Sequence, residues 1–168
     1  METTSRFSTL LGLALLTGLA GCGQSDSPPA LARQARASTT VNVTLREWAV
    51  VADNTTVSSG SVTFRVTNTG SLPHELVILK LNPGVTPDTM PMKEGAVDEN
   101  ASGTVIDEIE ETDLPPHATQ SKSVTLTPGT YALFCAVVEN NDQVPETEIN
   151  KTKVSHYQLG MVTTLTVL

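Results

Sequence analysis

Gly60-Ser61-Val62-Thr63-Phe64-Arg65-Val66-Thr67-Asn68-Thr69-Gly70-Ser71-Leu72-Pro73-His74 alternates apolar and polar side chains through Val62, Phe64 and Val66, then stops at turn residues. A period of two is the mark of a strand with one face in a core and the other in water. Asn68-Thr69-Gly70-Ser71 closes that strand and Leu72-Pro73 interrupts the chain again. His74 opens the next run, Glu75-Leu76-Val77-Ile78-Leu79-Lys80-Leu81, which is apolar at almost every position, as a strand buried on both faces should be. Upstream, Val41, Val43 and Leu45 alternate with Asn42, Thr44 and Arg46. The phase slips between Leu45 and Trp48, which predicts a bulge or an edge.

Downstream the same grammar continues. A short strand is expected at 104–109, a turn at Leu114-Pro115-Pro116-His117-Ala118, and a strand through Val124 and Leu126. Pro128-Gly129 turns the chain into 130–137, and a last strand, 161–168, puts Met161, Thr163, Leu165 and Val167 on one face. The stretch 82–103, with Pro83, Pro87, Pro91 and three glycines, reads as irregular, with one helical turn at 89–97. The polar region 138–155 reads as a loop or small hairpin outside the core. Aromatic residues make up only 4% of the chain while Val and Thr abound, a composition that suits pleated, half-buried strands. Seven to eight short strands separated by turns predict an all-β domain, a Greek-key sandwich or barrel over 41–168.

The N-terminal part is of another kind. Arg6 is the only positive side chain ahead of an apolar run from Leu10 to Ala20, too short to span a bilayer as a permanent helix. Residues 1–21 read as a signal peptide. Leu19-Ala20-Gly21-Cys22 resembles the lipobox of bacterial lipoproteins, which implies that Cys22 is lipidated and the protein is exported and anchored to the bacterial cell membrane or the outer membrane. Several acyl chains on one residue would anchor stably where one would not. Residues 22–40, rich in Ser, Pro, Ala and Gln, then read as a flexible tether. With Cys22 lipidated, Cys135 is the only thiol left in an oxidising compartment, so it is either an inert core residue or a ligand.

The formal net charge is −8, which makes nucleic acid an unfavourable partner. Asp98, Glu99, Asp107, Glu108, Glu110, Glu111 and Asp113 fall within sixteen residues, and no Lys or Arg occurs between Lys93 and Lys122. Such a run is either a solvated face or a docking patch for a basic partner.

Four side chains carry the chemistry. They are two imidazoles (His74, His156), one thiol (Cys135) and one thioether (Met161); His74, Cys135 and Met161 lie at expected strand ends, where one pole of a sandwich can gather them. Taken singly, each is an ordinary core or strand-end residue. Together, two His and a Cys in a plane with a weak axial Met form a type 1 copper donor set. Met90-Pro91-Met92 and His117 are weaker candidates, better read as packing and as a turn residue.

At this point the chain resembles the cupredoxin family. The strand Gly60 to Gly70 followed by Pro73-His74-Glu75 is similar to the segment that delivers a first histidine. Pro128-Gly129-Thr130-Tyr131-Ala132-Leu133-Phe134-Cys135 is similar to the turn and strand that deliver the thiolate, and His156-x4-Met161 has the spacing of the second histidine and axial methionine in plastocyanin-like proteins. The resemblance implies an eight-stranded Greek-key barrel with one copper ion held by His74, Cys135, His156 and Met161. The chain departs from the family in two places. Twenty residues, 136–155, separate Cys135 from His156 where two to four are usual, and Glu75 stands where an asparagine commonly fixes the ligand loops. A long insertion can still return His156 to the site, because loop closure costs rise slowly with length. It can equally cover the metal, form a flap for a partner, or bring Glu139, Asp142, Glu146 and Glu148 close. Glu75 would lower the potential if it faced the metal.

The functional expectation is a membrane-tethered blue copper protein passing single electrons between exported redox partners such as a cytochrome or an oxidase. A copper-delivery lipoprotein without redox turnover and a copper-free interaction domain are the alternatives. An enzyme is not expected: three histidines are too few for a trinuclear oxidase cluster, and no H-E-x-x-H or Gly-rich phosphate motif is present.

Overall fold

The structure is a computed structural model and describes residues 38–140 and 153–168. The segment 1–21 read as a signal peptide, Cys22 and nearly all of the 22–40 segment read as a tether lie outside the described residues, as do Asp142, Glu146 and Glu148. Among the described residues no helix is long and apolar enough to cross a membrane.

The strands in chain order are β1 (Thr39–Arg46), β2 (Ala49–Ala52), β3 (Thr56–Val57), β4 (Gly60–Asn68), β5 (Leu76–Leu81), β6 (Met92–Lys93), β7 (Ala96–Val97), β8 (Gly103–Ile109), β9 (Thr119–Leu126), β10 (Gly129–Phe134), β11 (Val138–Asn140), β12 (Lys153–Ser155) and β13 (Val162–Val167). Two principal sheets form the sandwich, one in the order β2-β1-β4-β9 and the other β3-β13-β10-β5-β8. β1 runs parallel to β4 and β3 parallel to β13, and the remaining pairs are antiparallel. The all-β, cupredoxin-like sandwich read from the sequence is present, with one strand more in its two sheets than the seven to eight expected; the two-residue β3 carries too short a signal to be read.

The alternating residues do what their period predicts. Val41, Val43 and Leu45 of β1 and Val62, Phe64 and Val66 of β4 point into the space between the sheets, against Leu76, Ile78, Tyr131, Leu133, Leu165 and Val167. Burying each such side chain contributes about 1.5–3 kcal/mol. β5 and β10 are buried on their second face as well, where Val77, Leu79, Ala132 and Phe134 meet Met90 and Tyr157. The irregular stretch after β5 therefore covers the outer face of the sheet. Tyr157 fastens it there, its hydroxyl donating to the Pro87 carbonyl at 2.7 Å and accepting from the Met90 amide at 3.2 Å.

Two local readings are corrected. The phase slip after Leu45 is a hairpin turn, since Arg46 pairs with Ala49 and β2 folds straight back on β1. The helical turn expected at 89–97 is instead a 3-10 turn at Pro87–Thr89 followed by the hairpin of β6 and β7. Glu94 and Gly95 join those two strands with φ of 53° and 88°, the left-handed pair that matches the twist of a two-residue hairpin. The short helix α1 (Glu99–Ser102) follows, capped by the Asp98 carboxylate accepting from the Ala101 amide at 3.1 Å.

Register decides what meets at the pole. Phe134 pairs with Val77 on one side and Val162 on the other. Cys135 is one residue beyond Phe134, Met161 one residue before Val162, and His74 three before Val77, so all three leave the sheet at the same end. Tyr131 anchors the far end of β10 by donating to the Thr127 carbonyl at 2.8 Å across the Pro128-Gly129 turn.

Candidate metal centre

His74, Cys135 and His156 converge with their donor atoms within 4.8 Å of one another, and all three are fully buried. The His74 and His156 Nδ1 atoms are 3.3 Å apart, and Cys135 Sγ lies 3.4 Å from His156 Nδ1 and 4.0 Å from His74 Nδ1. Each ring thus turns its Nδ1 inward. Met161 is also fully buried, its amide donating to the His156 carbonyl and its carbonyl accepting from the Cys135 amide, both at 3.0 Å. The Met161 backbone is thereby tied to the backbones of two of the other three residues.

The long insertion is compatible with the site because its base is a hairpin. β11 and β12 pair Val138 with Ser155, Glu139 with Val154 and Asn140 with Lys153, and the His156 amide then donates to the Val137 carbonyl at 3.0 Å. The chain leaves Cys135 and returns to His156 with the two ends already held together.

Burial sets the protonation of the metal-free pocket. It pushes the Cys135 thiol up to about 11, against the Glu75 and Val137 amides and with the Glu75 and Glu111 charges. It pushes His74 down, assisted by His156 and opposed by Glu47 and Glu139, and it pushes His156 down against Glu139 and Glu111. Two neutral imidazoles and a thiol face one another in the interior. A soft cation would displace the thiol proton and satisfy all three donors at once, so metal binding here releases a proton. The donors, two imidazole nitrogens and one sulfur with a buried methionine beside them, fit one type 1 copper ion and suit neither magnesium nor calcium.

Three residues at the pole were not legible as functional. Trp48, in the β1–β2 turn, lays its ring 4.9 Å from the His156 ring and 6.4 Å from the His74 ring, capping the site while remaining 36% exposed itself. Glu47 sits 3.5 Å from His74 Nε2, and its Oε1 accepts from the Ser71 and Leu72 amides, each at 2.8 Å. Asn68, fully buried at the end of β4, binds the segment before His74 and the 110–118 connection. His117 is an exposed turn residue with φ of 67°, apart from the cluster. Met90 is buried against the outer face of the sheet while Met92 is exposed.

Glu75 touches the site through its backbone, the amide donating to Cys135 Sγ at 3.3 Å, while its carboxylate acts on the thiol through charge. Burial, then the charges of Glu108, Glu110, Glu99 and Glu111, push its carboxyl from the ordinary 4.5 up to about 7. A carboxyl whose folded pKa exceeds its unfolded one is favoured in its protonated form by folding, so its contribution is present below about pH 4.5 and is lost as pH rises to about 7. Within that window each pH unit costs up to about 1.4 kcal/mol. Urea unfolding of the metal-free protein at about pH 5 and about pH 8 is expected to show lower stability at the higher pH, and Glu75→Gln is expected to remove most of the difference. An unchanged slope in the variant would contradict this assignment.

A β-sandwich with two imidazoles, a thiol and a buried methionine gathered at one pole has the architecture of a blue copper protein. In overall structure the chain is similar to reduced auracyanin from the photosynthetic bacterium Roseiflexus castenholzii, with 23% identity, 78% of this chain and 98% of that chain covered, and a TM-score of 0.47. It is similar to auracyanin A, a "blue" copper protein from Chloroflexus aurantiacus, at 20% identity, 78% and 99% coverage and a TM-score of 0.47. It is similar to rusticyanin from Thiobacillus ferrooxidans at 16% identity, 78% and 77% coverage and a TM-score of 0.47. No family model and no curated protein matches the chain. The class therefore rests on this chain's own strand order, register and donor cluster.

Proposed function

We propose that the protein is a single-copper, type 1 electron carrier in which His74, Cys135 and His156 form the equatorial donor set and Met161 the weak axial one. The observation that carries this reading is the inward convergence of two Nδ1 atoms and one Sγ within 4.8 Å in a fully buried pocket. Copper held there would supply one-electron redox chemistry at an accessible potential. The chain's part is to keep the donors still. His74, Cys135 and Met161 hang on paired strands or on loops bonded to them, and His156 is fixed by the Val137 carbonyl and the Met161 amide. A pocket that does not rearrange presents the same geometry to both oxidation states and keeps reorganisation small. The protonated Nε2 atoms, the Glu75 amide on sulfur and the exclusion of water then tune the electronics of the donors.

The cellular setting belongs to the same proposal. Lipidation at Cys22 would hold the domain to a bacterial membrane through the 22–40 tether. The acidic run would face a redox protein such as a cytochrome or an oxidase; Glu108, Glu110 and Glu111 act on Glu75, and Glu111 also on Cys135 and His156, so this charge lies close to the copper pole. Complementary charge raises encounter rates and falls off with salt.

Electron carriage and copper delivery separate on retention. The copper-loaded full chain, cycled repeatedly between a mild reductant and oxidant beside a competing Cu(I) chelator, is expected to keep its metal and its visible absorption. Progressive transfer of copper to the chelator in the reduced state would replace this reading with metal delivery.

A further inference from the structure

We infer that Glu47 and Glu139 form a carboxylate clamp on the two imidazoles, gripping each ring by its outer nitrogen and biasing the bound copper toward its oxidised state. The inference rests on the copper reading above. With both Nδ1 atoms turned inward as donors, each ring must carry its proton on Nε2. Those two Nε2 atoms are buried and have no hydrogen-bond partner. Each nevertheless faces one carboxylate oxygen: Glu47 Oε1 at 3.5 Å from His74 and Glu139 Oε1 at 3.4 Å from His156. These contacts are long for hydrogen bonds. They are also paired, one per ring, and come from unrelated parts of the chain, the β1–β2 turn and the first strand of the hairpin that closes the insertion.

Both carboxylates are partly open to solvent, 25% and 41% exposed, while the rings they face are not exposed at all. Water therefore supports their charge at the rim of a dry site. Glu47 is fixed further by the Ser71 and Leu72 amides, and room for it depends on Gly70, where a Cβ would come within 2.5 Å of Glu47 Oε1. Glu47 thereby ties the loop carrying His74 to the ring of His74 itself. A carboxylate drawing on Nε2–H makes the ring a better donor at Nδ1 and stabilises the higher metal charge more than the lower. Neither carboxylate faces the metal, so both are positioning residues. The insertion acquires a purpose on this account: it seats Glu139 over the second histidine.

The test uses the copper-loaded full chain as wild type, Glu47→Gln, Glu139→Gln and the double variant. Glu111→Gln serves as a control that removes a nearby charge without touching either ring, and Gly70→Ala evicts Glu47 while leaving it in the sequence. Each clamp variant is expected to lose about tenfold in Cu(II) affinity relative to Cu(I). That loss is a rise of about 59 mV in potential. The double variant should show about the sum, Gly70→Ala should follow Glu47→Gln, and Glu111→Gln should move less than half as far. The Nε2 nitrogen resonances of both histidines in the Cu(I) protein should shift in the matching variant only. If the clamp variants keep their thiolate-to-copper absorption yet move no further than Glu111→Gln, the clamp is wrong. If wild type itself lacks that absorption, the copper reading fails, and this inference fails with it.

Discussion

Cys135→Ser is expected to bind Cu(II) without the intense visible absorption of the parent and with an electron-paramagnetic spectrum of ordinary tetragonal copper. The sulfur is the only soft anionic donor in the cluster, lying 3.4 Å and 4.0 Å from the two inward imidazole nitrogens. A serine hydroxyl at the same place is a hard donor with a proton it gives up far less readily. It leaves two neutral imidazoles and a thioether, which hold Cu(II) weakly and without charge transfer from sulfur. A loss of copper affinity of more than about 100-fold is expected, because even residues that merely support metal ligands cost about 10–100-fold when removed. The fold should survive. Serine is close to cysteine in size, and the Glu75 amide that donates to Sγ can donate to Oγ instead. Unfolding of the two metal-free proteins should differ by no more than about 2 kcal/mol. Identical visible spectra in both proteins would show that the thiol does not hold the metal, and the carrier assignment would fall.

The sandwich was readable because its signal is periodic. Val41, Val43 and Leu45, Val62, Phe64 and Val66, and the doubly apolar run of β5 each report burial at every second residue or at every residue, and the structure buries them accordingly. The ligands were readable for a different reason. His74, Cys135 and Met161 adjoin strand ends, and strand pairing carries strand ends to a common pole without any need to know loop conformations. What stayed hidden depends on loops. Glu47 and Trp48 sit in a turn that looked like a break in strand phase, and nothing in their spacing ties them to His74 or His156. Glu139 is one of four carboxylates in the insertion with nothing in the spacing to single it out, and among the described residues it is the β11–β12 pairing that holds it near His156. For Glu75 the spacing does not tell which way the carboxyl points: it lies among the charges of the acidic run, and the bond it gives the site comes from its amide.

Asn68→Ala is expected to be the costliest change outside the ligands, because the asparagine supplies the fastening that position 75 lacks. Asn68 Nδ2 donates to the Leu72 carbonyl at 2.8 Å and to the Leu114 carbonyl at 2.9 Å, and its Oδ1 accepts from the Gly70 amide at 2.9 Å. The His74 amide donates to that same Leu114 carbonyl at 3.3 Å. One fully buried side chain therefore joins the end of β4 to the segment before His74 and to the 110–118 connection that passes it. Alanine would leave the Leu72 carbonyl short of a donor and the Gly70 N–H without its acceptor, each costing about 1–3 kcal/mol when no replacement reaches it, and would leave the Leu114 carbonyl with the His74 amide. Partial relaxation brings the expected loss to about 3–5 kcal/mol, a large share of the 5–15 kcal/mol typical of a domain. Urea unfolding of the metal-free proteins measures this directly. Asn68→Asp distinguishes the donors from the acceptor: it keeps an oxygen for Gly70 but turns a second oxygen toward two carbonyls, so it should be no better than alanine. Where the variant still folds, the slackened 71–74 loop should broaden the copper spectra through disorder at His74, with Cys135 and Met161 held as before by β10 and β13. A loss below about 1 kcal/mol would mean that the Leu72 and Leu114 carbonyls find other donors, and that the first histidine is positioned by Glu47 and strand pairing alone.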